Sequence, residues 1–375
     1  VAQQKRILAV FIEPTPYILG FLKALVSQYP GEIDVFFLKE NHTQQWEVGL
    51  PEAYTVLSMP LIQSVTYFNQ QITQKNYQLI HLAGWGNLTC LAMMLLSRFK
   101  KIPLSIESDT QLNKTIPKWK QRMKYWGYQR ALYPVLFKFP SVFLPGGTRQ
   151  KKYLEHYKVA KEKIVLAQMT VDITALKENI ARIQPEERLT FRQAHHAEDS
   201  DIIFLYVGRL LDWKGVIELV EAFKQMNHSR AKLWIAGEGA LEDYVKKNSD
   251  VLDNMFYFGR VEGSRLMNIY HAADVFVLPS LAEPWGLVVN EAMASGKAVI
   301  ISEDAGCVDD LVFHGETGLL IPPKDIQALI SAMTCLASDD ECREQLASQA
   351  QKHIATWTLE NEANNVMCAW KQVLL

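Results

Sequence analysis

Short apolar runs recur along the first half of the chain, at 6–12, 33–38, 78–82, 102–107, 141–144 and 164–168. Most are followed by a stretch with apolar residues at helical spacing, as at 17–29, 87–99 and 149–157. Runs that are continuous rather than alternating predict strands buried on both faces, hence a parallel sheet under helices. Segment 172–200 breaks the rhythm. It is polar, carries Gln184-Pro185-Glu186-Glu187-Arg188, and ends in His195-His196-Ala197-Glu198-Asp199, so it reads as helix and linker. A second series follows, with strands predicted at 202–207, 232–236, 255–258, 274–278, 298–301 and 318–321. Its helices are predicted at 214–226, 240–248, 263–271, 286–295, 305–313 and 324–337. The stretch 358–375 reads as a final helix, with Trp357 and Trp370 available for docking. The pattern is that of two consecutive doubly wound α/β units, with no internal repeat or low-complexity tract.

The length of 375 residues accommodates two cores of this kind, and 49% hydrophobic with 21% charged residues is a globular balance. No apolar run reaches the ~18 residues that span a bilayer. The run Ile7-Leu8-Ala9-Val10-Phe11-Ile12 is cut short by Glu13 and Pro14 and lacks a small-residue cleavage site, so it is read as a buried first strand. The five cysteines are odd in number and form no CxxC pair, which points to a reducing, cytoplasmic setting without a disulfide framework or zinc site.

The net charge of -2 conceals an asymmetry: Lys100 to Lys163 holds 15 Lys and Arg against 4 Asp and Glu. An anionic partner for one face of the first half is the implication. Within 114–138, Lys118, Lys120, Arg122, Lys124 and Arg130 alternate with Trp119, Tyr125, Trp126, Tyr128 and Tyr133. Such interleaving suits an anionic membrane surface, here the inner face, and equally an exposed basic helix whose aromatic side covers the sheet. No nucleic-acid-binding module is recognisable.

Two segments carry candidate chemistry. In Tyr206-Val207-Gly208-Arg209-Leu210-Leu211-Asp212-Trp213-Lys214-Gly215, a strand ends at glycine and two cations flank the loop that opens a helix. At the carboxyl end of a parallel strand they are placed to hold a diphosphate, Arg209 as a fork and Lys214 as a point charge. A solvated loop with two surface cations is the plainer alternative. In Pro279-Ser280-Leu281-Ala282-Glu283-Pro284-Trp285-Gly286-Leu287-Val288-Val289-Asn290-Glu291, a loop carboxylate precedes a glycine and then a helix. Gly286 permits close approach of a ligand to the backbone, and the helix start offers free N–H groups to phosphate. Glu291, about 1.5 turns further on, is placed to accept hydrogen bonds from ribose hydroxyls. The alternative is a surface residue of an amphipathic helix, although flanking Val288, Val289, Ala292 and Met293 predict burial.

The set Gly208-Arg209, Lys214-Gly215, Gly237-Glu238-Gly239, Phe258-Gly259, Glu283 with Glu291, and Gly315-Glu316-Thr317-Gly318 resembles glycosyltransferase family 4 in order and spacing. The likeness covers about 200–340 and fades before it. It implies a GT-B fold, two Rossmann-like domains facing across a cleft with the C-terminal helix crossing back to the first. The domains would be 1–170 with 358–375 for the acceptor, and 171–357 for the donor. It implies retaining transfer from a nucleotide-diphosphate sugar, with no metal or other cofactor, to a glycan or lipid-linked acceptor. Arg209 and Lys214 would bind the diphosphate, Glu291 the ribose and Glu283 the sugar. The backbone of Trp285, Gly286, Leu287 and Val288 would line sugar and phosphate, and Gly259-Arg260-Val261 would receive the base. The departing phosphate would help deprotonate the acceptor, so Glu283 and Glu291 are not read as a hydrolase pair.

The first half departs from that pattern twice. The loop after the first strand reads Glu13-Pro14-Thr15-Pro16-Tyr17 where a glycine pair is usual. The acceptor-side histidine is missing, and Ile106-Glu107-Ser108-Asp109-Thr110 stands in its place. Asp109 or Glu107 would take over its role, unless Asp109 only caps a turn. His81 ends another strand near the same edge, either lining the acceptor site or satisfied in the core. The rival functions are a nucleotide-sugar epimerase and a non-catalytic binding module of the same fold.

Overall fold

The computed structural model describes residues 5–40, 49–112 and 132–374. Contacts divide it into two compact units: described residues up to Val171 together with Leu359 onward, and Asp172–Thr358. Each holds one six-stranded, all-parallel sheet.

In the first unit the strands are β1 (Arg6–Phe11), β2 (Glu32–Phe37), β3 (Thr55–Val56), β4 (Leu79–Ala83), β5 (Leu104–Ser108) and β6 (Val142–Pro145). They lie in the order β3-β2-β1-β4-β5-β6. One face packs on the helices Leu61–Lys75 and Leu88–Lys100, through Phe68, Ile72, Met93 and Met94. The other face packs on Pro16–Gln28 and on Leu359–Leu374, the helix that returns from the far end of the chain with Trp370 fully buried.

The second unit has β7 (Ile202–Val207), β8 (Ala231–Ala236), β9 (Met255–Tyr257), β10 (Val275–Leu278), β11 (Ala298–Ser302) and β12 (Leu319–Ile321), in the order β12-β11-β10-β7-β8-β9. Both sheets therefore reverse winding direction once, between β1 and β4 and between β7 and β10. In open α/β sheets the ligand crevice lies at the carboxyl ends of the strands flanking such a reversal.

The strand prediction at 164–168 is corrected. That segment runs beside β6, with Val165 N donating to Phe143 O at 3.0 Å and Ala167 N to Pro145 O at 2.9 Å. Only one bridge, Phe143 with Ile164, forms a ladder contact, so no strand develops. The helix predicted at 305–313 shrinks to Val308–Leu311, and 172–200 resolves into two helices, Ile173–Ala181 and Pro185–Ala194. From the second of these, the fully buried Arg192 meets Asp274 at 3.3 Å and donates to Ala272 O, which fixes the linker to the foot of β10.

The prolines of the first loop start a helix. Thr15 caps Pro16–Gln28, its hydroxyl accepting from Ile18 N, and Pro16 occupies the first turn, where a missing N–H costs nothing. Most of the basic-aromatic stretch 114–138 lies outside the described residues. In its described end, Tyr133 stacks on Phe137 at 5.2 Å and joins the core cluster, so this ring serves packing. Among the described residues no helix is long and apolar enough to cross a membrane.

Candidate functional site

The loops that follow β7, β8, β9 and β10 meet at one edge of the second sheet. Gly237 N donates to Gly259 O at 2.8 Å, and Leu210 N to Glu238 O at 2.8 Å. Gly237 has φ +144°, and a Cβ there would stand 1.9 Å from Gly208 O. Both conditions demand glycine, since an L side chain would be strained and would collide with backbone. Gly237→Ala should therefore cost at least about 2 kcal/mol of stability, read from the urea midpoint. Gly259→Ala faces open space, with only its φ of +70° against it, and should cost about 1 kcal/mol.

Lys214 ends a short 3-10 turn, Asp212–Lys214, and Gly215 then enters the left-handed region before the helix Val216–Gln225. A Cβ on Gly215 would lie 2.2 Å from Pro279 O, so this turn rests directly on the end of β10. That contact sets Lys214 against Glu283. Their side chains form an ion pair, 15% and 9% exposed, and Ser280 Oγ also donates to Glu283 at 3.4 Å. Arg209 is exposed beside them, its carbonyl accepting from Tyr206 Oη at 2.9 Å. Among the described residues its guanidinium makes no ion pair, which leaves the fork available to an anion.

The loop from Glu283 is braced by Gly306 N to Glu283 O at 2.9 Å and Cys307 N to Trp285 O at 3.1 Å. The Trp285 indole points inward, donating to Asn290 Oδ1 at 3.0 Å and stacking near Trp357. Only its backbone is left for a ligand. Gly286, at φ +100°, starts the helix Leu287–Ala294 without a side-chain cap. Uncapped N–H groups at a helix start favour an anion.

Glu291 projects from that helix and accepts from Tyr270 Oη at 2.8 Å. Burial pushes its carboxyl up to about 7, and the Tyr270 hydrogen bond pulls in the opposite direction. Tyr270 and Ser280 were not singled out in the sequence. Neither carries a motif, and each is found only through its contact with a carboxylate 21 and 3 residues away. Arg260 is held in an acidic fork, Nη1 to Glu238 at 2.8 Å and Nε to Glu262 at 2.8 Å. Its side chain is thus already engaged, and Val261 beside it is half-buried.

The remaining candidates lie in the first unit. His81 is fully buried on β4, while Glu107 and Asp109 stand at the end of β5 and just beyond, half-buried and exposed.

A solved glycosyltransferase of Rickettsia africae superposes on this two-sheet chain with a TM-score of 0.76, at 15% identity over 99% of each chain. The chain has the GT-B fold. Among solved structures, Anabaena HepE in complex with UDP superposes with a TM-score of 0.78, at 19% identity over 98% of this chain and 100% of that one. Residues 187–353 of this GT-B chain match the family model "Glycosyl transferases group 1". An uncharacterized glycosyltransferase of Methanocaldococcus jannaschii is 32% identical over 191 residues, 50% of this chain and 49% of that protein. A sulfoquinovosyl transferase of Arabidopsis thaliana is 24% identical over 92% of this chain and 70% of its own. The chain spans about half the length or less of the curated relatives that are 30% identical or more. The matched family segment contains every candidate of the second unit, from Gly208 to Glu291.

Proposed function

We propose that this GT-B chain is a glycosyltransferase that moves a sugar, with retention, from a nucleotide-diphosphate donor to a glycan or lipid-linked acceptor. One observation carries the reading. Lys214 with Glu283, the uncapped helix start at Gly286, and Glu291 with its raised carboxyl converge where the second sheet reverses. Cation and N–H groups suit a diphosphate, and a buried carboxylate suits the vicinal hydroxyls of ribose. Arg209 and Lys214 would stabilise the charge that grows on the leaving diphosphate. Glu283, fixed by Lys214 and Ser280, would hold a sugar hydroxyl.

The backbone at Gly237, Gly259 and Val261 would take the base. Crystals of HepE with UDP and with UDP-glucose support a uridine nucleotide as the first to test. The residues named supply charge stabilisation by themselves, and a metal-independent reaction is the reading we adopt. The first unit would bind the acceptor, with His81, Glu107 and Asp109 as candidates. An apolar acceptor tail or a membrane surface fits its exposed Ile62, Leu88 and Phe99, which are 80%, 66% and 82% accessible. Work at the cytoplasmic face of a membrane, in polysaccharide or glycolipid synthesis, follows from that reading.

The test is a thermal-shift panel of UDP, GDP, ADP, CMP and their common sugar conjugates, with EDTA and again with Mg²⁺. A ligand at 100 times its Kd should add about 2.7 kcal/mol to apparent stability. A shift with one nucleotide in EDTA, lost in Glu291→Ala, supports the reading. No shift under either condition removes it and favours the non-catalytic module. Turnover of the nucleotide sugar to an epimer without acceptor would favour an epimerase.

A further inference from the structure

Behind the carboxyl edge of the first sheet lies a buried polar chain. Trp370, on the returning helix, donates its indole N–H to Ser105 Oγ at 3.1 Å. Ser105 Oγ in turn stands 3.1 Å from His81 Nδ1. Trp370, Ser105 and His81 are all fully buried, and the register of β4 on β5 sets His81 opposite Ser105.

Donor counting fixes the first link of the chain. An indole can only donate, so Ser105 accepts from Trp370. In the tautomer where the serine's hydrogen goes to His81 Nδ1, the imidazole proton sits on Nε2; in the other, Nδ1 donates to the serine. His81 Nε2 makes no hydrogen bond among the described residues and lies 3.4 Å from Glu107 Oε2. The buried Nε2 thus stands at ion-pair distance from a carboxylate that is itself 27% exposed, without hydrogen-bond geometry to it. One side of that carboxylate faces the buried imidazole, and the other faces solvent.

The surroundings fix the kind of ligand. Glu107 acts on Glu362 of the returning helix, whose carboxyl is raised by burial and by that neighbouring charge. Tyr17, on the first helix, has its hydroxyl raised by burial and then by Asp109, Glu107 and Glu13. Glu13 sits just past the end of β1, Glu107 in the last residues of β5 and Asp109 just past it, and Glu362 and Tyr17 lie on the two helices of that face. An anionic acceptor would meet like charge here, whereas sugar hydroxyls find carboxylate acceptors.

We propose that Glu107 anchors the acceptor hydroxyl, positioned by the buried Trp370–Ser105–His81 chain, and that the acceptor moiety bound there is an uncharged sugar. The assignment of this unit to the acceptor rests on the transferase reading above. Glu107 would touch the substrate, whereas His81, Ser105 and Trp370 act through it as positioning residues.

Saturation-transfer NMR tests this on the full chain, with methyl α-glucoside, methyl α-galactoside, methyl α-mannoside and glucose 6-phosphate as probes, with and without UDP. At least one neutral glycoside should bind the wild type, with glucose 6-phosphate weaker. Glu107→Gln should weaken that glycoside at least 10-fold, and Glu107→Asp should recover part of the loss. Trp370→Phe and His81→Gln should weaken it about 2- to 5-fold, with the shift produced by UDP unchanged. A merely structural role would move Tm and nucleotide binding together with sugar binding. The proposal is overturned if no neutral glycoside binds, if glucose 6-phosphate binds more tightly, or if Glu107→Gln binds like the wild type. A wild type that binds a glycoside but no nucleotide leaves the Glu107 assignment standing and defeats the transferase reading instead.

Discussion

Glu291→Gln should weaken nucleotide-diphosphate binding by about 10- to 100-fold and, at pH 8, make the free protein more stable. The first effect follows from charge. A ribose hydroxyl donates more strongly to a carboxylate than to an amide, by roughly 1.5–3 kcal/mol for a charged acceptor. The second follows from linkage. Burial raises the Glu291 carboxyl from its ordinary value of 4.5 to about 7, so between these pH values the native state binds more protons than the unfolded chain. Stability therefore falls as pH rises through that window, and above it the full cost, up to about 3 kcal/mol, is present. Glutamine removes the ionisation and with it the cost. Wild-type affinity should fall about 10-fold per pH unit below 7, because the ligand must first displace a proton, while the glutamine variant should bind with little pH dependence. Isothermal titration from pH 5.5 to 8.5, beside urea melts at the same pH values, reads both. A variant that binds as tightly as the wild type at pH 8 would take Glu291 out of the site.

Lys214→Met should lower turnover by about 100- to 1000-fold and destabilise the protein by about 3–5 kcal/mol. Its ammonium is the cationic partner of a Glu283 carboxylate that is only 9% exposed, and removing one member of a buried pair strands the other. The double variant Lys214→Met/Glu283→Gln should regain most of the stability, because no uncompensated charge is left. It should regain no activity, because the diphosphate still lacks one of its two cations. Urea melts and steady-state rates on the four proteins of the cycle separate the two contributions. Recovery of turnover in the double variant would show that Lys214 serves only to neutralise Glu283.

Both results depend on contacts that sequence spacing alone does not disclose. The twelve strands among the described residues divide instructively. Those made of uninterrupted apolar runs, such as Ile202–Val207 and Ala298–Ser302, were legible because burial on both faces leaves no room for polar residues. Thr55–Val56 was not, since two residues at an edge have no pattern to display. The helix Asp340–Ile354 was missed for a different reason. Only Leu346, Ala350 and Ile354 of its 15 residues are buried, so the apolar stripe is one residue wide. The apolar segment 164–168 misled because lying beside a strand and pairing fully with it call for the same composition.

In the candidate site, the glycines and the Glu283–Glu291 spacing were readable as motifs. The Lys214–Glu283 pair was not, because it joins residues 69 apart through the packing of Gly215 on Pro279. Sequence spacing also did not show that the Arg260 side chain, in the run expected to receive the base, pairs with Glu238 and Glu262. Sequence alone leaves His81 open between core and site; the structure buries it fully, with Nε2 3.4 Å from Glu107 Oε2.

The helix Leu359–Leu374 belongs to the first unit, although the whole second unit separates it from the rest of that unit along the chain. On a ribosome this imposes an order of events. Roughly 190 residues must be added after Val171 before the helix exists, about 10–40 s at ordinary elongation rates. During that interval the face of β1, β4 and β6 that receives Trp370 is covered by Pro16–Gln28 alone, and Ser105 lacks the indole that donates to it. The second unit can reach its native state first, from a contiguous stretch of chain. The amino-terminal unit is thus the later of the two to be completed, and its exposed apolar face is where a nascent chain of this protein would depend on chaperones.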